Sequence, residues 1–163
     1  MDLSPADAAY IAGFLDGEGS ISILRGKTRR GKSYRCFLAV SVSNTCREVL
    51  EWIRVLVGGG KVSENSSRLH QEKVALGVWK PIYNLHWGGK KSEEILRAVY
   101  PWLRVKKGQA EIALRFRETV NRKTHSWERV PVEDIAFREQ CRDALLRLNS
   151  GGPNGRGVGA IAL

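Results

Sequence analysis

Two carboxylates, Asp16 and Glu18, sit between glycines in the run Ile11-Ala12-Gly13-Phe14-Leu15-Asp16-Gly17-Glu18-Gly19, at the end of what reads as an apolar helix. A helix C-terminus carries partial negative charge, so each acid there costs about 0.3–1 kcal/mol unless a cation offsets it. A divalent metal would do so. The same run also reads as a core helix with an ordinary glycine stop and solvated acids, and these residues alone leave both open.

The helix is well signalled at its start. Ser4 can cap, Pro5 suits the first helical position, and Asp7 completes a capping-box-like spacing. At its end, Gly17 and Gly19 are expected to take the left-handed geometry that stops a helix. Ala9 and Gly13 share a face, with Ala8 and Ala12 beside them, and small residues let a second helix approach closely.

After the helix, residues 20–25 and 34–43 read as a hairpin, with Cys36, Leu38, Val40 and Val42 alternating against Arg35, Phe37, Ala39, Ser41 and Ser43. Thr45 and Glu48 predict a capping box for a helix carrying Val49, Ile53 and Val57, stopped by Gly58 to Gly60. Asn44 then lies at a strand-to-helix junction. A second strand pair is predicted around Lys61 to Asn65 and within Val74 to Trp87, with Pro81 interrupting the latter. Ser92, Glu93 and Glu94 predict the next helix start. Val132 to Leu148 has a helical pattern with Ile135, Cys141, Leu145 and Leu148 on one side.

The run Ile11 to Gly19 resembles the signature of the LAGLIDADG homing endonucleases, reading IAGFLDGEG here and followed at once by the strand-like Ser20-Ile21-Ser22-Ile23. One departure is that the second acid, usually Asp, is Glu18. The resemblance covers roughly residues 5 to 120. It implies an α+β fold of αββαββα order, an antiparallel DNA-binding sheet covered by helices. Asn44 resembles the polar residue placed near the family's active centre. The run Pro101-Trp102-Leu103-Arg104-Val105-Lys106 looks like the family's Pro-x-Leu-x-x-Lys segment, which makes Lys106 the lysine that stabilises charge at the scissile phosphate. Arg47 is the nearest candidate for a further basic residue. By the same resemblance Glu18, Asn44 and Lys106 are catalytic, and Glu18 and Gly17 hold Mg²⁺, in sites that Mn²⁺ or Ca²⁺ can also occupy. A homodimer would join through Ala8, Ala9, Ala12, Gly13 and Asp16. The implied activity is a site-specific, Mg²⁺-dependent, staggered double-strand cut in a long pseudopalindromic target by an intron-encoded enzyme. The alternative is a catalytically inactive DNA- or RNA-binding protein of the same fold, an intron maturase or transcriptional regulator.

Composition agrees with a nucleic-acid partner: 27 Lys and Arg against 17 Asp and Glu give a net charge of +10 and a pI near 9.9. No acid falls between Ser20 and Arg47. Candidate contacts to double-stranded DNA are Arg25, Lys27, Arg29, Arg30, Lys32, Arg35, Ser41, Lys61, Ser63, Asn65, Arg68, Asn84 and His86. A general basic nucleic-acid-binding domain is the weaker reading. Cys36, Cys46 and Cys141 cannot all pair and do not combine with the histidines at zinc spacing. Gly58-Gly59-Gly60-Lys61 lacks the full phosphate-loop spacing. The length suggests one domain over residues 1–150, with a glycine-rich tail over 151–163 expected to be flexible. No run spans a bilayer or resembles a secretory signal, so an intracellular protein without membrane or organic cofactor is expected.

Overall fold

Ser4 opens the first helix as expected. In the computed structural model, which describes residues 2–27, 34–121 and 130–150, helix α1 runs Pro5–Glu18, and the Ser4 hydroxyl oxygen accepts from the Asp7 amide at 3.1 Å. The Ser4 hydroxyl in turn donates to the Asp7 carboxylate at 2.6 Å. Strand β1 (Gly19–Lys27) follows without a loop, and β2 (Tyr34–Asn44) returns beside it. Helix α2 (Arg47–Leu56) and strand β3 (Lys61–Glu64) come next. A short helix α3 (Arg68–Ala75) separates β3 from β4 (Tyr83–Gly88). Helix α4 (Gly89–Val99), a 3-10 turn (Tyr100–Trp102), α5 (Lys107–Asn121) and α6 (Val132–Ser150) complete the described chain.

The four strands form one antiparallel sheet in the order β1-β2-β4-β3. Among the described residues, α1, α2, α4, α5 and α6 pack on one face. Ile21, Ile23, Leu38, Val40, Val42, Leu85 and Trp87 turn into that layer and meet Ile11, Leu15, Leu50, Ile53, Leu96 and Phe116 in a single core. The β2 alternation therefore holds, because period-two side chains must divide between helix layer and solvent.

Several local expectations differ. Gly17 and Gly19 are not left-handed; Gly19 is already extended at φ −98°. Its reason for being glycine is space, since a Cβ there would lie 2.2 Å from Leu15 Cδ1 and 2.5 Å from the Leu15 carbonyl oxygen. Helix α2 starts after Cys46 without a side-chain cap, so Thr45 and Glu48 form no box. Instead the Asn44 carboxamide oxygen accepts from the Cys46 amide at 2.9 Å. The Gly58–Gly60 run does end that helix: Gly60 sits at φ +114°, and a Cβ on it would lie 2.5 Å from Trp87 Nε1. Ser92 lies buried inside α4, which begins earlier, at Gly89. The second strand pair is interrupted by α3 as well as by Pro81. In α6, Cys141 and Leu145 face inward while Ile135 is half exposed. No helix among the described residues is long and apolar enough to cross a membrane.

One polar tie fixes the end of α1. The Asp16 carboxylate accepts from the backbone amides of Arg104 at 2.7 Å, Val105 at 3.1 Å and Lys106 at 2.8 Å. The Lys106 carbonyl then receives the Ala110 amide at 2.9 Å, the first turn of α5. Asp16 thus ties the end of α1 to the segment that leads into α5, about ninety residues away, up to the amide of Lys106 just before that helix. Replacing Asp16 with Ala is expected to lower unfolding free energy by about 2–3 kcal/mol, because hydrogen bonds to a charged acceptor are lost together. The local cap variant Ser4→Ala should cost about 1 kcal/mol. Urea unfolding of the two variants compares them, and equal losses would refute the long-range tie.

Burial pushes the Cys141 thiol up to about 11. The unfolded chain's thiol ionises near the ordinary 9.0, so the fold loses stability from Cys141 as pH rises from that value toward 11. At pH 8, iodoacetamide should modify the exposed Cys46 and leave Cys141 unreacted until the chain is unfolded, as peptide mass spectrometry would register.

Candidate active site and nucleic-acid interface

Glu18 is the last residue of α1 and precedes the first residue of β1 directly. Its carboxylate is exposed and accepts no hydrogen bond or ion pair among the described residues. The other acid of the motif is fully committed, since Asp16 spends its oxygens on the three amides leading into α5. The two carboxylates, alike in the sequence, do different work.

The same tie delivers Lys106. Its ammonium donates to the Asp16 carbonyl, one of the orphan acceptors at the end of α1. Burial pulls the Lys106 ammonium below the ordinary lysine range, and the charges of Asp16 and Glu18 oppose that shift. A cation from within the chain therefore offsets part of the negative charge at the helix end. Glu18 feels that ammonium's charge but keeps both oxygens free of hydrogen bonds among the described residues.

Asn44 ends β2. The register that pairs Gly19 with Val42 places Asn44 two residues beyond, at the same end of the sheet as Glu18. Its carboxamide oxygen is held by the Cys46 amide, which leaves its NH₂ group to donate. Arg47 stands at this corner too, its guanidinium 5.7 Å from the centre of the Tyr83 ring and 3.7 Å from Glu51. Tyr83 is the β4 partner of Asn44.

The uncovered face of the sheet carries most of the polar residues expected to touch nucleic acid. One rung runs Ser20, Ser41, His86, Lys61 across all four strands, and a second runs Ser43, Asn84, Ser63. Ser43 Oγ donates to Asn84 Oδ1 at 2.7 Å, so the Asn84 amide group is free to donate. Arg35, opposite Gly26, is exposed on the same face. Ser20, Ser22 and Ser43 belong to this surface and were not among the expected contacts, although strand parity in the sequence marks them.

Three expected contacts lie elsewhere. Arg25 shares the inward parity of Ile21 and Ile23; it pairs with Glu139 of α6 at 3.7 Å on the helix side of the sheet. Arg68 sits on α3 and pairs with Glu72 at 2.8 Å. Asn65 turns the chain into α3, its carboxamide oxygen accepting from the Ser67 amide at 3.0 Å. Lys27 ends β1, while Arg29, Arg30, Lys32 and the tail 151–163 lie outside the described residues.

The expected pairing face of α1 also changes. Ala8 and Ala12 are 5% and 0% exposed and belong to the chain's own interior, while Asp16 is taken by α5. The outward face is Ala6, Ala9, Tyr10, Gly13 and Gly17, and among the described residues nothing lies within 4 Å of a Cβ built on Gly13 or Gly17. Tyr10 packs edge-on against Trp52 of α2, with ring centres 5.3 Å apart.

As a metal ligand set, a single chain supplies hard oxygens but few of them. No group of three or more His, Cys, Asp or Glu side chains that could hold an ion occurs among the described residues. An uncommitted carboxylate on a rigid turn beside backbone carbonyls fits a shell completed by waters and phosphate oxygens, as Mg²⁺ prefers.

Residues 11–79 match the family model described as LAGLIDADG endonuclease. No curated protein matches the chain. Among solved structures, the homing endonuclease I-CvuI, in complex with the I-CreI target in the presence of Mg, matches with a TM-score of 0.67 and 18% identity, over 91% of this chain and 85% of that one. The archaeal intron-encoded homing endonuclease I-Vdi141I, complexed with DNA, gives 0.66 and 20%, over 87% and 83%. The meganuclease I-SmaMI, bound to uncleavable DNA, gives 0.65 and 14%, over 84% of this chain but 44% of that one. At such identities the likeness is one of fold, and it includes the expected sheet-and-helix architecture. The family model adds what fold alone does not: residues 11–79, which include the signature run, are similar to the LAGLIDADG endonucleases.

Proposed function

We propose that this protein is a site-specific, Mg²⁺-dependent DNA endonuclease that makes staggered double-strand breaks, acting as a homodimer on a long pseudopalindromic target. The observation that carries the reading is Glu18, an uncommitted carboxylate fixed beside Lys106 at one end of a polar, partly basic sheet face. Phosphodiester hydrolysis needs a positioned water, an in-line approach and stabilisation of a crowded anionic transition state. When bound, Mg²⁺ supplies an activated water and neutralises developing charge. Glu18 and the Gly17 carbonyl would hold it. Lys106, kept at the end of α1 by its bond to the Asp16 carbonyl, lends positive charge toward the phosphate. Asn44 orients water through its free NH₂ group. The sheet face meanwhile lies in a major groove, which is wide enough to admit β-strands.

Dimerisation rests on the outward small residues of α1. Gly inside a helix costs about 1 kcal/mol relative to Ala, and among the described residues nothing occupies the space beside Gly13. A partner helix backbone would use that space. Two such chains bring two Glu18 carboxylates near one axis, one for each DNA strand. Sedimentation should find wild type dimeric and Gly13→Leu monomeric with an unchanged circular dichroism spectrum; a dimeric Gly13→Leu protein would exclude this face.

The activity is tested with supercoiled plasmids carrying randomised inserts, with and without Mg²⁺, beside Glu18→Gln. Metal-dependent cutting at one pseudopalindromic site, reduced at least about a thousandfold in Glu18→Gln while binding persists, is the expected result. Specific binding without cutting by the wild type would transfer the chain to the inactive, maturase-like or regulatory class.

A further inference from the structure

The outward sheet face is not polar throughout. Beyond the serine, histidine and lysine rung lie Leu24 and Phe37, which are direct cross-strand partners and are 45% and 42% exposed. Ala39, the next outward residue of β2, pairs with Ser22 on one side and Gly88 on the other. These three form an apolar stripe between polar rungs, with Arg35 on the far side. The Phe37 ring leans toward Gly26, where an added Cβ would meet it at 3.0 Å, so the ring stands beside a glycine and not over a side chain. As a cross-strand pair Leu24 and Phe37 help to hold the sheet, yet both stay nearly half exposed. A thymine would cover that surface: its C5-methyl group is the apolar feature of the major groove, and it separates T from C.

We propose that Leu24, Phe37 and Ala39 are specificity-determining residues that read thymine methyl groups, a reading that rests on the proposed DNA endonuclease function. The occupant is favoured by charge: Arg35 borders the stripe and Lys61 lies on the same face at the β3 edge, in a chain of net charge +10. Leu24 lies six residues beyond Glu18 on an unbroken strand. That is about 20 Å of strand, or roughly six base pairs of duplex. Thymine is therefore required about five to seven base pairs from each cut, on both half-sites of a symmetric target. A second copy of the chain is the competing occupant, and the test separates it.

Duplexes selected by the purified protein from a random library are sequenced, and the winning duplex is resynthesised with deoxyuridine replacing thymidine at one position at a time. This exchange removes a methyl group and leaves base pairing unchanged. Enrichment of thymine at those positions is expected, with affinity falling about fourfold for each methyl removed there and little change elsewhere. Leu24→Ala, checked for an unchanged melting temperature, should bind thymidine and deoxyuridine duplexes alike at the position it reads. Selection without thymine in that window, or indifference of the wild type to deoxyuridine there, overturns the proposal while leaving DNA binding intact. Concentration-dependent self-association relieved by Leu24→Ala assigns the stripe to a second copy instead. If no duplex is enriched, the DNA reading itself fails, and this inference with it.

Discussion

The acceptance of three backbone amides by one carboxylate is the constraint on which the site depends. Asp16 closes the α1 end onto the segment before α5, satisfying three consecutive backbone amides that would otherwise have to find water. The consequence is positional. Lys106 follows from the same backbone and can reach only the end of α1, where it meets the Asp16 carbonyl. Without that tie the segment between Leu103 and Lys107 would be an ordinary exposed connection.

Charge at this end of the molecule is sorted by partner. Asp16 is neutralised by dipoles and Lys106 by proximity to acids, and Glu18 has neither hydrogen bond nor ion pair. Two acids separated by one glycine thus take opposite roles, one structural and one available for chemistry. Buried polar pairing recurs in the helix layer, where Arg117 meets Glu93 at 3.0 Å and Arg97 takes the other oxygen of the same carboxylate. Such a pair favours one arrangement of α4 and α5 more than it adds stability, since desolvation offsets much of the attraction.

Much of this was legible in the residues, and the limits are physical. The Ser4 cap, the β2 alternation and the glycine turn after α2 are local signals, and local signals survive folding. Helix α1 is apolar on every side, so the sequence does not tell which small residues turn inward; Ala8 and Ala12 went to the core and Ala9 and Gly13 to the surface. Arg25 was readable as inward from the parity of Ile21 and Ile23, but the acid that makes this tolerable, Glu139, lies on a distant helix. The α3 insertion hid behind Pro81 and a run too short for a clear period. Asp16 and Glu18 were both visible as unusual acids. Only tertiary contact with residues 104–106 distinguishes them.

The direct passage from α1 into β1 has a mechanical meaning. No residue separates helix from strand, and Leu15 fills the space a side chain at Gly19 would need, so Glu18 is placed by α1 and β1 together. Under the proposed function, a base pair that fits the strand poorly would shift the carboxylate with it, and catalysis tolerates such displacement far less than adhesion does. Discrimination would then be spent on the rate of the chemical step: a wrong sequence would be held, but held out of alignment.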